Sequence, residues 1–74
     1  MRVEGNGIGW EIVEDDIVWD LVGLISSSRW ELYRYDGTER VLHLVFWRKN
    51  KYDAVAEAMK VVKAYCQDKG VNYE

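Results

Sequence analysis

Two alternating segments on either side of Asp36-Gly37 constrain this chain more than any other feature. Arg29 to Tyr35 alternates and is rich in aromatic residues. Arg40 to Arg48 sets Leu42, Leu44 and Phe46 on one side and Val41, His43, Val45 and Trp47 on the other. A period of two marks a β-strand. Asp-Gly between two strands is a strong hairpin signal, because glycine accepts the positive φ that tight hairpin turns demand. A chain committed to this hairpin must build a sheet and cover at least one of its faces. The second segment is apolar on both sides, which is the pattern of a central strand. A three-residue connection with Gly37 near a bulge position puts Trp30 and Leu32 on the same face as Leu42, Leu44 and Phe46. A strict two-residue turn instead pairs Leu32 with Val41 and places Leu42 opposite Glu31.

Other elements flank the hairpin. Ile8, Trp10 and Ile12 alternate with Gly9, Glu11 and Val13, which reads as a short strand. Gly5, Gly7 and Gly9 do not make a phosphate loop: the spacing is G-x-G-x-G, and it precedes a strand instead of following one. They read as a flexible arm over residues 1–6 that enters the strand. From Glu14 the pattern shifts. Ile17, Val18, Leu21, Val22, Leu24 and Ile25 fit a helical period, with Asp15 or Asp16 as N-cap and Ser26 to Ser28 as the following loop. Asn50 reads as a second N-cap, with Asp53 three residues on. A helix is expected from Lys51 to Lys69, with an apolar stripe of Val55, Ala58, Met59, Val62, Tyr65 and Cys66, and Gly70 just past its end. Val71 to Glu74 is a candidate last edge strand. The order β-α-β-β-α-(β) predicts an α+β, ferredoxin-like sandwich with two helices on one face of an antiparallel sheet. Without the last strand it is a three-stranded sheet under two helices.

Size and composition bound what such a domain can be. Seventy-four residues make one domain, spanning 1–74. A chain this short buries roughly 60% of the surface it exposes when unfolded, so its core is marginal unless dense or supported by a second subunit. A 49% hydrophobic content without proline excludes a disordered or low-complexity segment. One cysteine excludes an intramolecular disulfide framework. No apolar run is long enough to span a bilayer, and Met1 to Trp10 lacks the apolar stretch of a signal peptide. The expectation is a reduced, cytoplasmic protein without a membrane partner. The net charge of −3 conceals a split. Residues 1–28 set six carboxylates against Arg2 alone, and residues 29–74 set nine bases against seven acids.

Three surfaces are candidates for function. With helices on one side only, the uncovered sheet face carries Tyr33, Tyr35, Val41, His43, Val45 and Trp47, bordered by Glu11, Val13, Arg29 and Glu31. That is more aromatic and aliphatic surface than a monomer usually leaves bare. A homodimer interface, another protein, or single-stranded nucleic acid stacking on Tyr33, Tyr35, His43 and Trp47 can occupy it. Nucleic acid is the least favoured of these. The strand from Arg40 to Trp47 lacks the glycine of an RNA-binding motif, and the net charge is negative. The second surface is the acidic helix, where Trp19 falls on the far side from Leu21 and Ile25, among Asp15, Asp16 and Asp20. It suits a partner with a basic surface, in the manner of the small acidic inhibitors of phages and mobile elements, whose carboxylates stand in for phosphates. The third is Arg48, Lys49 and Lys51 beside Trp47, a weak anion site at a strand–helix junction.

Enzymatic chemistry has little support. His43 and Cys66 are the only residues of their kinds, and the expected fold separates them. Cys66 reads as a small core residue. No metal spacing, cofactor motif or serine elbow is present. The function expected from the sequence is a non-enzymatic protein-binding module that self-associates through its sheet. The alternative is a monomeric inhibitor or adaptor that docks through Trp19.

Overall fold

Every strand of the computed structural model, which describes residues 1–6, 9–24 and 27–71, is a short run of four to nine residues. Strands β1 (Arg2–Gly5), β2 (Gly9–Glu14), β3 (Ile17–Gly23), β4 (Arg29–Asp36) and β5 (Glu39–Trp47) pair in chain order, all antiparallel. Helix α1 (Lys51–Val71) follows. The architecture is α+β, a five-stranded meander with one C-terminal helix, and the expected ferredoxin-like arrangement with two helices is overturned.

The departure begins at Asp15-Asp16. Glu14 pairs with Ile17, so the two aspartates form a two-residue connection, with φ of 51° and 64°. Positive φ at both central positions is the signature of a type I′ hairpin turn, whose twist matches the strands it joins. Aspartate tolerates this left-handed region better than most residues. Carboxylates read as helix caps therefore turn the chain, and no acidic helix forms. Along β3, Ile17, Trp19 and Leu21 point to one face and Val18, Asp20 and Val22 to the other. Apolar residues on both faces of a strand are what gave this segment its helical period.

Two further expectations change with it. Arg2–Gly5, read as part of a flexible arm, pairs with β2 as an edge strand. Asn6 braces that connection: its N–H donates to the Gly9 carbonyl (3.0 Å) and its side-chain oxygen accepts from the Gly9 N–H (2.9 Å). β5, read as central, is the opposite edge. The expected last strand over 71–74 gives way to helix at Val71, and residues 72–74 lie outside the described residues.

The β4–β5 hairpin forms around Asp36-Gly37, but with a different register device. Asp36 pairs with Glu39, leaving Gly37 and Thr38 as the connection, and Gly37 takes a φ of 66°. Beyond the turn Tyr33 faces Leu42. After the next step Leu32 faces Leu44 and Trp30 faces Phe46. The extra residue is His43, in mid-strand and not at Gly37. A bulge of this kind changes which residues share a face on its two sides.

The core lies between α1 and one face of the sheet. Ile12, Trp19, Leu21, Leu32 and Phe46 meet Ala54, Ala58, Val62 and Cys66. The four helical residues are spaced four apart and so lie along one stripe. Their small side chains let the helix settle close to the sheet, chiefly over β2 and β3. The stripe is rotated from the one expected: Ala54 is buried and Met59 is 37% exposed. Asn50 caps the helix, accepting the Tyr52 N–H on its side-chain oxygen at 2.7 Å. Among the described residues no helix is long and apolar enough to cross a membrane.

Candidate functional site

Helix α1 covers one face of the sheet, and no described element of the chain covers the other. The register assigns each strand's contribution to the uncovered face. β2 and β3 give Glu11, Val13, Val18, Asp20 and Val22. β4 gives Arg29, Glu31, Tyr33 and Tyr35, and β5 gives Arg40, Leu42, Val45 and Trp47.

The polar members satisfy one another. The Tyr33 hydroxyl donates to Glu31 (2.6 Å), and Arg29 donates to the other oxygen of the same carboxylate (3.0 Å). Tyr35 donates to Asp20 across β3 (3.0 Å). The Arg40 guanidinium sits 3.7 Å from the Tyr33 ring centre, a cation–π contact. Arg2 from β1 reaches Glu11 at 3.2 Å. These bonds shift acidities. The Tyr33 hydroxyl, and then Arg29, hold the Glu31 carboxyl below its usual range. The same bond raises Tyr33, and the bond to Asp20 raises Tyr35. The apolar members lie to one side of this network. Leu42, Val45 and Trp47 line up along β5, with Leu42 49% and Trp47 60% exposed.

The sequence-derived sites are redistributed. Tyr33, Tyr35, Val45 and Trp47 do share the uncovered face. Val41 and His43 do not. Val41 pairs with Arg34, which pairs with the buried Trp19, so Val41 faces the helix side. The His43 ring stands edge-on to Trp19 (centroids 5.0 Å apart) and Tyr65 (5.5 Å), also on the helix side. The bulge at His43 moves Leu42 to the uncovered face in their place. The Trp19 group is dispersed altogether. Trp19 is fully buried, Asp15 and Asp16 form an exposed turn, and Asp20 joins the network on the uncovered face. Strand geometry causes this, because neighbours in a strand point to opposite faces. Packing against Trp19 and the charge of Arg34 depress the basicity of His43, desolvation being the larger cause.

Arg48, Lys49 and Lys51 do come together, at the junction of β5 and α1, beside walls the sequence did not indicate. They line a cleft of about 440 Å³ on the helix side of the sheet, at the end where α1 begins. Its other walls are Trp10 and Trp30, with Gly5, Gly9 and Gly23 beneath. The two indoles are tilted 45° to each other, with centroids 6.1 Å apart. Trp30 is fixed by a hydrogen bond from its Nε1 to the Arg48 carbonyl (3.0 Å). Arg48 is shared between the Trp47 carbonyl and Glu57. Lys49 and Lys51 have no carboxylate partner among the described residues. The missed residues are Trp10, Trp30 and Gly23. A tryptophan placed across from a glycine was the available signal, and it became readable only once β3 was a strand.

Among the described residues no group of three or more His, Cys, Asp or Glu is placed to hold a metal ion. Comparison of the chain with family models, curated proteins and solved structures gives no match in any of the three.

Proposed function

We propose that the protein is a non-enzymatic protein-binding module that self-associates through the uncovered face of its sheet. The observation that carries this reading is the line of Leu42, Val45 and Trp47, with Trp47 60% exposed on a face that no described element covers. Tryptophan is the residue type most enriched at interface hot spots.

Charge favours a second copy over other occupants. Arg2, Arg29 and Arg40 are interspersed on this face with Glu4, Glu11, Asp20 and Glu31. Such a face is close to neutral and offers no one-signed field to a polyanion or a strongly basic partner. It meets its own composition equally well. A two-fold pairing of sheets would also add a second apolar layer to a domain whose own core is a single helix deep. A cytoplasmic setting accompanies this reading, since one cysteine leaves nothing for an internal disulfide.

The alternatives are less well supported. An acidic-helix inhibitor is not carried forward, because Trp19 is in the core. A stacking platform for nucleic acid on the sheet loses His43 to the other face, and Arg40 already occupies the Tyr33 ring. Light scattering of the native chain and of Val45→Glu tests the proposal. The native protein should scatter as a dimer and the variant as a monomer of unchanged helical content. A native monomer at high concentration overturns it.

A further inference from the structure

We propose that the cleft between Trp10 and Trp30 is a binding site for one nucleotide unit, an aromatic base with its phosphate. This site is on the helix side of the sheet and is independent of self-association through the opposite face.

Three observations converge on it. The first is room and lining. About 440 Å³ lies within the roughly 300–1,000 Å³ of small-ligand clefts, and two half-buried indoles wall it. Inserting a ring between two others needs them about 7 Å apart and parallel, twice the contact distance of carbon atoms. At 6.1 Å and 45°, Trp10 and Trp30 do not form such a slot. A base would stack on the outer face of one indole, as bases do on single aromatic platforms.

The second is the charge on the rim. Lys49 and Lys51 are exposed and lack carboxylate partners among the described residues, while Arg48 is partly committed to Glu57. Two unneutralised ammonium groups beside a ring site suit a phosphate, which lysine binds as a point charge.

The third is where the opposing charge sits. Antiparallel pairing sends the acidic turns to the other end of the sheet. Glu14, Asp15 and Asp16 close β2–β3 there, and Asp36 and Glu39 close β4–β5. Gly9, Gly23, Arg29, Trp47 and the start of α1 lie at the cleft end. Five of the thirteen carboxylates are therefore held away from the cleft, while Asp53 in the first turn of α1 and Glu57, paired with Arg48, are the acids on the helix beside it. Screening reduces the effect of distant charges still further.

Proton–nitrogen spectra of the full chain test the assignment through its four indole N–H signals, assigned by single Trp→Phe variants. The probes are adenosine and uridine 5′-monophosphates, a short oligothymidylate, uncharged nucleosides and inorganic phosphate. The Trp10 and Trp30 signals should move on adding nucleotide, while those of Trp19 and Trp47 stay. Lys49→Glu with Lys51→Glu should weaken binding by at least roughly tenfold, the scale of losing a charged hydrogen bond, with no change in thermal midpoint. Equal binding of mononucleotides and oligomer assigns a free nucleotide, and binding of the oligomer alone assigns a strand. Indole shifts that no nucleotide produces, that inorganic phosphate reproduces in full, or that survive the double variant overturn the proposal.

Discussion

Trp30 lies against the backbone of Gly23, its cross-strand partner, and fills the space that a side chain at that position would need. A glycine in a strand often marks such a close approach. Gly23→Ala must push the indole away from its bond to the Arg48 carbonyl. The expected cost is about 1–3 kcal/mol, the range of overpacking a fitted site. Urea denaturation measures it, and a shifted Trp30 indole signal in the folded variant shows its cause.

Trp19 should be the most sensitive position in the chain. It is fully buried among Ile12, Leu21 and the helix, with the His43 and Tyr65 rings edge-on to it. Trp19→Ala is expected to cost about 3–5 kcal/mol, most of the stability of a domain this size. Trp19→Phe should be milder, because the buried Nε1 has no hydrogen-bond partner among the described residues. Chemical denaturation of both variants checks the order; equal losses would contradict it.

The Asp15-Asp16 turn is open to improvement. Both residues sit in the left-handed region, which costs an ordinary residue roughly 1 kcal/mol and glycine almost nothing. Asp15→Asn with Asp16→Gly should raise stability by about 1 kcal/mol and leave the β2–β3 register intact. A loss of stability on this exchange would point to a role for the two carboxylates beyond the turn. The measurement is the thermal midpoint, with cross-strand contacts between Glu14 and Ile17 as the structural check.

His43 couples the bulge to pH. Its basicity is depressed from the ordinary 6.5 by packing and by Arg34, so the unfolded chain takes up the proton first as pH falls. Stability should therefore be full above about pH 6.5 and decline as pH drops below that value. The Glu31 contribution is lost separately and lower, below its ordinary 4.5, since its carboxyl is held below that value. The chain has one histidine, so a single imidazole resonance reports the midpoint directly. His43→Gln should remove the upper decline and leave the lower one.

The sequence was most legible where local chemistry had one solution. Asp36-Gly37 turned, Asn50 capped, and Trp30, Leu32, Leu44 and Phe46 share the face on which the large apolar groups were expected to collect, although Leu42, expected with them, does not. It was ambiguous from Ile17 to Gly23, where Ile17, Val18, Leu21 and Val22 satisfy a helical period and a strand with two apolar faces equally. Aspartates at positions 15 and 16 did not decide the matter, since the same residues cap helices and adopt left-handed turns. One misread element then misplaced Trp19, whose neighbours reverse sides between the two geometries. The bulge at His43 had no local mark either, and it alone decides that Leu42, and neither Val41 nor His43, reaches the open face. Arg2–Gly5 was too short and too polar to declare itself as an edge strand.

Sedimentation equilibrium of the native chain across the micromolar range, beside Trp47→Glu, bears most directly on the uncovered face. The native chain should approach twice the mass of the 8.7 kDa single chain as concentration rises, and the variant should hold at 8.7 kDa with the same helical content. A native chain that stays at 8.7 kDa at every concentration, or a variant that associates as tightly as the native chain, contradicts the assignment.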